Sequence, residues 1–130
     1  MEVECPYCGC RAGLIDSAEI YEKSHGMVWA CKPCNAWVGV HKNDGQNRPL
    51  GTLADPMTRH ARKMAHARFD PLWQTRLGRG KSKNKVRGEA YAWLAGQLGI
   101  STEKCHIALF DLETCVRVVQ ICVRETHGSS

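Results

Sequence analysis

The chain has 130 residues, 43% of them apolar and 24% charged, with eight cysteines and a formal net charge of +5. That length holds one domain, or a small module joined to a second small unit, with a modest core. No apolar stretch approaches a membrane span and the opening Met-Glu-Val-Glu-Cys is no secretory signal, so a soluble, cytoplasmic protein with reduced thiols is expected, not a membrane protein or a disulfide scaffold.

The first element is a pair of knuckles. Cys5-Pro-Tyr-Cys8 and Cys31-Lys-Pro-Cys34 are two Cys-x-x-Cys motifs separated by 22 residues. Each spacing lets a tight turn aim both sulfurs at one tetrahedral ion, so Cys5, Cys8, Cys31 and Cys34 are expected to hold one structural Zn²⁺. Gly9 and Asn35 follow the two pairs, and these residue types most readily enter the left-handed conformation in which such a turn closes. The competing reading is a disulfide or a thioredoxin-like redox pair. Neither motif has the βαβ context that a redox pair needs. Cys10 is the spare thiol nearest the site and could replace Cys8 in an irregular knuckle.

Short apolar runs flank the knuckles: Ala12 to Ile15, Met27 to Ala30, and Ala36 to Val40. Each is too short for a helix and has strand composition. They predict a zinc ribbon over residues 1–50, with Val28–Ala30 and Ala36–Val40 pairing as a hairpin and Trp29 and Trp37 packed beside the metal. A treble clef would need a helix to start at the second cysteine pair, and Trp37-Val-Gly-Val is poor helix sequence.

Residues 51–88 carry a net charge of +8, while both flanks are slightly acidic. Such a segment attracts a phosphate backbone, and nucleic acid, DNA or RNA, is the first partner it implies. A solvated face with a flexible linker is the alternative. Within residues 51–77, Asp55-Pro56 opens a helix with a side-chain cap and Pro at its first position. Leu53, Met57, Ala61 and Met64 fall on one side, and Arg59, Arg62, Lys63 and His66 project elsewhere. Phe69-Asp-Pro-Leu-Trp73 is expected to end this helix, since the residue before Pro71 is pushed out of the α region, and to supply two aromatic anchors. Residues 78–86 read as a flexible basic loop. The residues expected on phosphates are Arg59, Arg62, Lys63, Arg68, Arg79, Lys81, Lys83, Lys85 and Arg87, with Tyr7 or Trp73 available for base stacking.

Residues 87–130 form a helical unit. Tyr91, Leu94, Ala95 and Leu98 make one stripe that Gly99 terminates. Ser101 to Lys104 reads as a short turn and Cys105 to Phe110 as an extended or irregular piece. Asp111 caps a final helix from about Leu112 to Arg124, with Leu112, Cys115, Val116, Val119 and Cys122 or Val123 buried; residues 126–130 are expected to fray. Cys115 and Cys122 then act as small hydrophobes. The fold class is α+β: a four-cysteine zinc ribbon with a small antiparallel sheet, followed by three or four helices.

Several segments together resemble a known family. They are Cys-Pro-Tyr-Cys-Gly, Val-Trp-Ala-Cys-Lys-Pro-Cys-Asn-Ala-Trp-Val-Gly-Val-His, Pro-Leu-Gly-Thr-Leu-Ala-Asp, Phe-Asp-Pro-Leu-Trp, Tyr-Ala-Trp-Leu-Ala and Cys-His-Ile-Ala-Leu-Phe-Asp. The set is similar to the small zinc-finger-containing proteins of bacteriophages and prophages, a domain of unknown function, from Cys5 to about Val119. The resemblance implies a zinc site on Cys5, Cys8, Cys31 and Cys34, a phage context in a host cytoplasm, and no established activity. The sequence departs from the pattern at Ala108, where the Cys-His-Ile-Gly form has glycine, and by the Lys-rich insert at 78–86.

His41, His60, His66 and His106 with Asp55 or Asp70 are the candidates for a second metal centre or a general base. Their spacing does not form a nuclease motif, and four cysteine ligands leave zinc no open position. The leading expectation is a non-catalytic nucleic-acid-binding module of weak sequence specificity. A phage-encoded factor that binds a host protein complex is the alternative, and a metal-dependent nuclease the third.

Overall fold

In a computed structural model the chain is described over residues 1–43, 45–75 and 82–128, with residues 127 and 128 described by backbone alone. It divides into two compact units, Met1–Arg59 and His60–Ser130.

The first unit is built on a three-stranded antiparallel sheet in the order β1 (Gly13–Asp16), β2 (Met27–Cys31), β3 (Ala36–Gly39). Leu14 faces Trp29 across the first pair, and Trp29 faces Val38 across the second. The expected hairpin is therefore present, with Cys31 opposite Ala36 at its closed end. A short 3₁₀ turn, Ser17–Glu19, starts the connection from β1 to β2 and is capped by Asp16, whose Oδ1 accepts the Ala18 N–H at 2.8 Å. Residues 48–54 return along the outer edge of β3 through bonds between Leu50 N–H and Gly39 O and in both directions between Trp37 and Ala54. That pairing covers an edge that would otherwise expose unpaired backbone groups. One face of the sheet buries Cys5, Ala12, Trp29, Cys31, Ala36, Val38 and Leu53 together. Side chains alternate along a strand, so Trp29 and Cys31 share this face and Trp37 points to the other.

The second unit holds helices packed around one apolar cluster. Helix α1 is Pro56–Gln74, whose first turn belongs to the first unit; α2 is Lys83–Leu98 and α3 is Leu112–Gly128. Two 3₁₀ turns, Thr102–Lys104 and Ile107–Leu109, occupy the stretch between α2 and α3. The cluster contains Ala65, Phe69 and Trp73 from α1, Val86, Ala90, Tyr91, Leu94, Ala95 and Leu98 from α2, and Cys115, Val118 and Cys122 from α3, closed by Cys105, Ile107 and Phe110. The α2 stripe and its left-handed Gly99 terminus (φ 72°) match the sequence expectation. The caps match as well: Thr58 N–H donates to Asp55 Oδ1 and Thr114 N–H to Asp111 Oδ1, at 2.9 and 2.8 Å.

Five local expectations are corrected. Helix α1 does not stop at Phe69-Asp-Pro but continues to Gln74. Phe69 is fully buried and Trp73, one turn on, is nearly so, whereas Pro71 and Ala67 are on the solvent side. Proline inside a helix costs about 3 kcal/mol, a penalty that two buried aromatic side chains at roughly 1.5–3 kcal/mol each offset. The buried side of α1 also differs. Met57 and Met64 are 67% and 40% exposed, and the inward row is Ala61, Ala65, Phe69, Trp73, because the two large rings fix which face turns inward.

Residues 83–86 are not loop: Ser82 Oγ accepts the Lys85 N–H at 3.2 Å, Val86 is fully buried, and α2 begins at Lys83. The remainder of that expected loop, residues 78–81, lies outside the described residues. In α3, Leu112 and Val116 are exposed and Val118 takes their place inside, giving an inward row of Cys115, Val118 and Cys122. The helix also runs past Arg124 to Gly128, into the segment expected to fray, and Thr126 Oγ1 donates to Cys122 O at 2.9 Å; residues 129–130 lie outside the described residues.

Candidate metal centre and basic surface

The knuckles are shaped by their own backbone. Gly9 and Asn35 both adopt positive φ, 76° and 52°. The Gly9 N–H donates to Cys5 O at 2.9 Å, and the Asn35 N–H to Lys32 O at 3.0 Å. The first knuckle closes a small loop in which Cys5 N–H bonds Cys10 O and Ala12 N–H bonds Val3 O. The second sits between the ends of β2 and β3.

These turns bring the thiols of Cys5, Cys8, Cys31 and Cys34 together, with every pair of Sγ atoms within 4.8 Å. Cys8 Sγ and Cys31 Sγ are 3.7 Å apart. A tetrahedral Zn²⁺ with bonds of about 2.3 Å requires sulfurs about 3.8 Å apart, so the donor set fits the ion in number, type and spacing. The protonation chemistry points the same way. The backbone N–H of Cys10 lowers Cys8 to about 7, and that favoured thiolate, through Cys8 Sγ, pushes Cys34 up to about 12. A cluster that resists a second negative charge is one that a dication completes, since metal binding deprotonates every thiol ligand. Cys10 is exposed and lies outside the set of four. Cys5 and Cys31 are buried, Cys8 exposed and Cys34 half-buried. With all four positions of a tetrahedral ion taken by protein sulfur, the role such a metal has here is structural.

Residues 1–125 match the family described as a zinc-finger-containing domain. The chain belongs to that zinc-finger-containing family. The match covers both units, so the helices after the ribbon are part of the family's domain and not an appendage. No curated protein and no solved structure matches the chain.

Three further cysteines in this family member are core residues. Cys105, Cys115 and Cys122 are fully buried, and burial pushes each thiol up to about 11. Of the two tryptophans expected beside the metal, Trp29 is there and donates its Nε1–H to Asn47 O at 2.7 Å. Trp37 is on the opposite face, its edge toward Tyr21 and its Nε1–H donating to Tyr21 Oη at 3.0 Å. Over its ring, 3.1 Å from the centroid, lies the Arg59 guanidinium, which also donates to Ala54 O at 2.6 Å.

That contact changes the standing of the basic residues. Arg59 is a cation–π partner of Trp37, and desolvation draws its pKa down. Arg62 is half-buried and donates from Nε to Phe110 O at 2.9 Å. Both are committed to holding the fold. Lys63 and Arg68 on α1, and Lys83, Lys85 and Arg87 on α2, are exposed. The salt bridges Arg11–Glu2 and Lys32–Glu19 and the His66–Asp70 contact involve none of these five. Lys83 and Arg87 lie 6.0 and 5.7 Å from the ring centroids of Trp73 and Tyr91. Arg79 and Lys81 lie outside the described residues. Trp73 is 4% exposed and donates to Asp70 Oδ1, which removes it as a stacking platform. Tyr7 keeps an exposed ring, but its hydroxyl donates to Thr58 Oγ1 at 2.9 Å and accepts the Asp55 N–H at 3.1 Å. No sequence pattern signals this tie of the first knuckle to the start of α1.

The histidines do not converge. His66 Nδ1 is 3.2 Å from Asp70 Oδ2, His106 lies against the Tyr91 ring at 5.4 Å, and the His41 backbone bonds Arg48 O. Among the described residues the four cysteines are the one group of three or more His, Cys, Asp or Glu placed to share a metal. No helix of the described residues is long and apolar enough to cross a membrane.

Proposed function

We propose that the chain is a non-catalytic zinc-binding module that holds nucleic acid by its phosphate backbone, with little base preference. The observation that carries this reading is the division of charge between the two units. Met1–Arg59 has six Lys/Arg against seven Asp/Glu, a balance of −1, and His60–Ser130 has twelve against six, a balance of +6. Exposed Lys63, Arg68, Lys83, Lys85 and Arg87 supply that excess on two helices of the second unit. Rigid helices fix the spacing of cations while long side chains adapt to phosphates, which suits backbone contact and not base readout. The ribbon serves as a zinc-held platform with an independent core.

The test is binding of a fluorescein-labelled 20-mer duplex across a series of KCl concentrations. Wild-type affinity is expected to fall steeply with salt, and Lys83→Ala with Lys85→Ala to flatten the logarithmic slope by roughly 0.9 for each phosphate contact removed. Helix content should be unchanged, since both side chains are exposed. Undetectable wild-type binding at low salt would remove the nucleic-acid reading and leave a protein partner as the charged surface's target.

A further inference from the structure

Trp93 differs from the other three tryptophans. The indole N–H groups of Trp29, Trp37 and Trp73 donate to Asn47 O, Tyr21 Oη and Asp70 Oδ1, while among the described residues nothing accepts from Trp93. It is half-buried, packed against the core of the second unit, and forms a wall of a groove of about 620 Å³. The groove is lined by Ala67, Arg68 and Pro71 of α1, Thr75 just past its end, Trp93 of α2, and Glu125 of α3, among others. Its volume falls in the roughly 300–1,000 Å³ range of small-molecule sites, and its walls are about evenly polar and apolar.

Pro71 also bears on the groove. A proline in the solvent-facing row of α1 cannot bond Ala67 O, and both residues line the groove. The polar groups are complementary to a base and its phosphate. Trp93 Nε1 is a donor, the Glu125 carboxylate an acceptor, and Arg68 a cation. The Thr75 hydroxyl donates to Leu72 O and keeps its lone pairs as acceptors. Glu125 repels a bare anion, so inorganic phosphate alone is a poor fit. A flat ring carrying N–H donors, joined to a phosphate, answers all of these groups together.

We propose that this groove receives one unstacked base of a single-stranded nucleic acid, stacked on Trp93 with its phosphate on Arg68. The inference rests on the nucleic-acid reading and sharpens it, because a paired duplex cannot deliver a base into the groove. Stacking on an aromatic side chain is sequence-tolerant and substantial, which agrees with a module that reads no bases.

The experiment compares a labelled dT12 strand with a labelled 12-bp duplex. Trp93→Ala is expected to weaken dT12 binding roughly tenfold while leaving the duplex unchanged, and Trp93→Phe to keep most of the affinity. Since Trp93 also packs on the core, a second variant leaves it in place: Ala67→Leu, at an exposed helical position, narrows the groove and should produce the same selective loss. Addition of dT12 should quench part of the tryptophan emission, and that part should vanish in Trp93→Phe. Unaltered dT12 affinity in both Trp93→Ala and Ala67→Leu, with duplex and strand still bound by the wild type, would overturn the groove assignment and leave the phosphate reading standing. Displacement of dT12 by an equal concentration of AMP would overturn the strand assignment in favour of a free nucleotide. Loss of both nucleic acids from the wild type would overturn the parent reading, and this one with it.

Discussion

A thiol turned toward three others gains nothing from the arrangement until a cation compensates the charge, and this is the condition of Cys5, Cys8, Cys31 and Cys34. Replacing Cys31 by Ser removes a buried ligand at the end of β2. The expected result is loss of stoichiometric zinc by elemental analysis and loss of near-ultraviolet dichroism from Trp29 and Trp37, because metal binding in a module of this size is folding energy. Retained dichroism with no zinc would show a ribbon that stands without metal. Tyr7→Phe tests a smaller contact. It removes a hydroxyl shared by Thr58 and the Asp55 N–H, and should lower the stability of the first unit by about 1–2 kcal/mol in urea unfolding. The cysteines and the Gly9 and Asn35 turns were legible in sequence because knuckle geometry is local. The Arg59–Trp37 stack and the Tyr7 bridge were not, because each joins positions far apart in the chain. A cation read from sequence alone looks free, and Arg59 shows how a fold can claim it.

At the scale of the element, helix caps and stripes were readable where a short motif sets them, as at Asp55-Pro56, Gly99 and Asp111. The course of α1 through Pro71 was not, since a local rule about proline competes with burial of Phe69 and Trp73 that only packing reveals. Pro71→Ala should restore the bond to Ala67 O and raise the melting temperature, by an amount equivalent to about 1 kcal/mol or more; a lower melting temperature would mean that α1 relies on proline at this position. The α3 cap gives a pH dependence. The Thr114 hydroxyl, then its N–H, hold the Asp111 carboxyl below its ordinary value. A carboxyl with a depressed folded pKa stabilises fully above its unfolded value near pH 4, and the contribution is lost as pH falls through the folded pKa. The stability difference between wild type and Asp111→Asn should therefore shrink as pH drops from 5 toward 2. A difference that stays constant over that range would rule out the charged cap. The zinc site contributes equally to both proteins and cancels from the comparison.

For the whole molecule, the fold class was legible because a four-cysteine ribbon and amphipathic helices carry separate signals, and each of the two units has its own buried cluster. Chelation should consequently dissolve the sheet while most of the helical signal at 222 nm persists, since the second cluster contains no zinc ligand. Parallel loss of both signals would mean that the helices depend on the metal. The charge division between units was visible in composition, but which cations face solvent emerged only once α2 was seen to begin at Lys83 and Arg59 and Arg62 were seen to be occupied. The most direct test of the account as a whole is zinc K-edge X-ray absorption of the purified protein. A closed structural site predicts one zinc per chain with four sulfur neighbours at about 2.3 Å and no nitrogen or oxygen in the shell. A shell with histidine nitrogen or water oxygen, or zinc-free protein whose Cys5, Cys8, Cys31 and Cys34 are paired as disulfides, would contradict it.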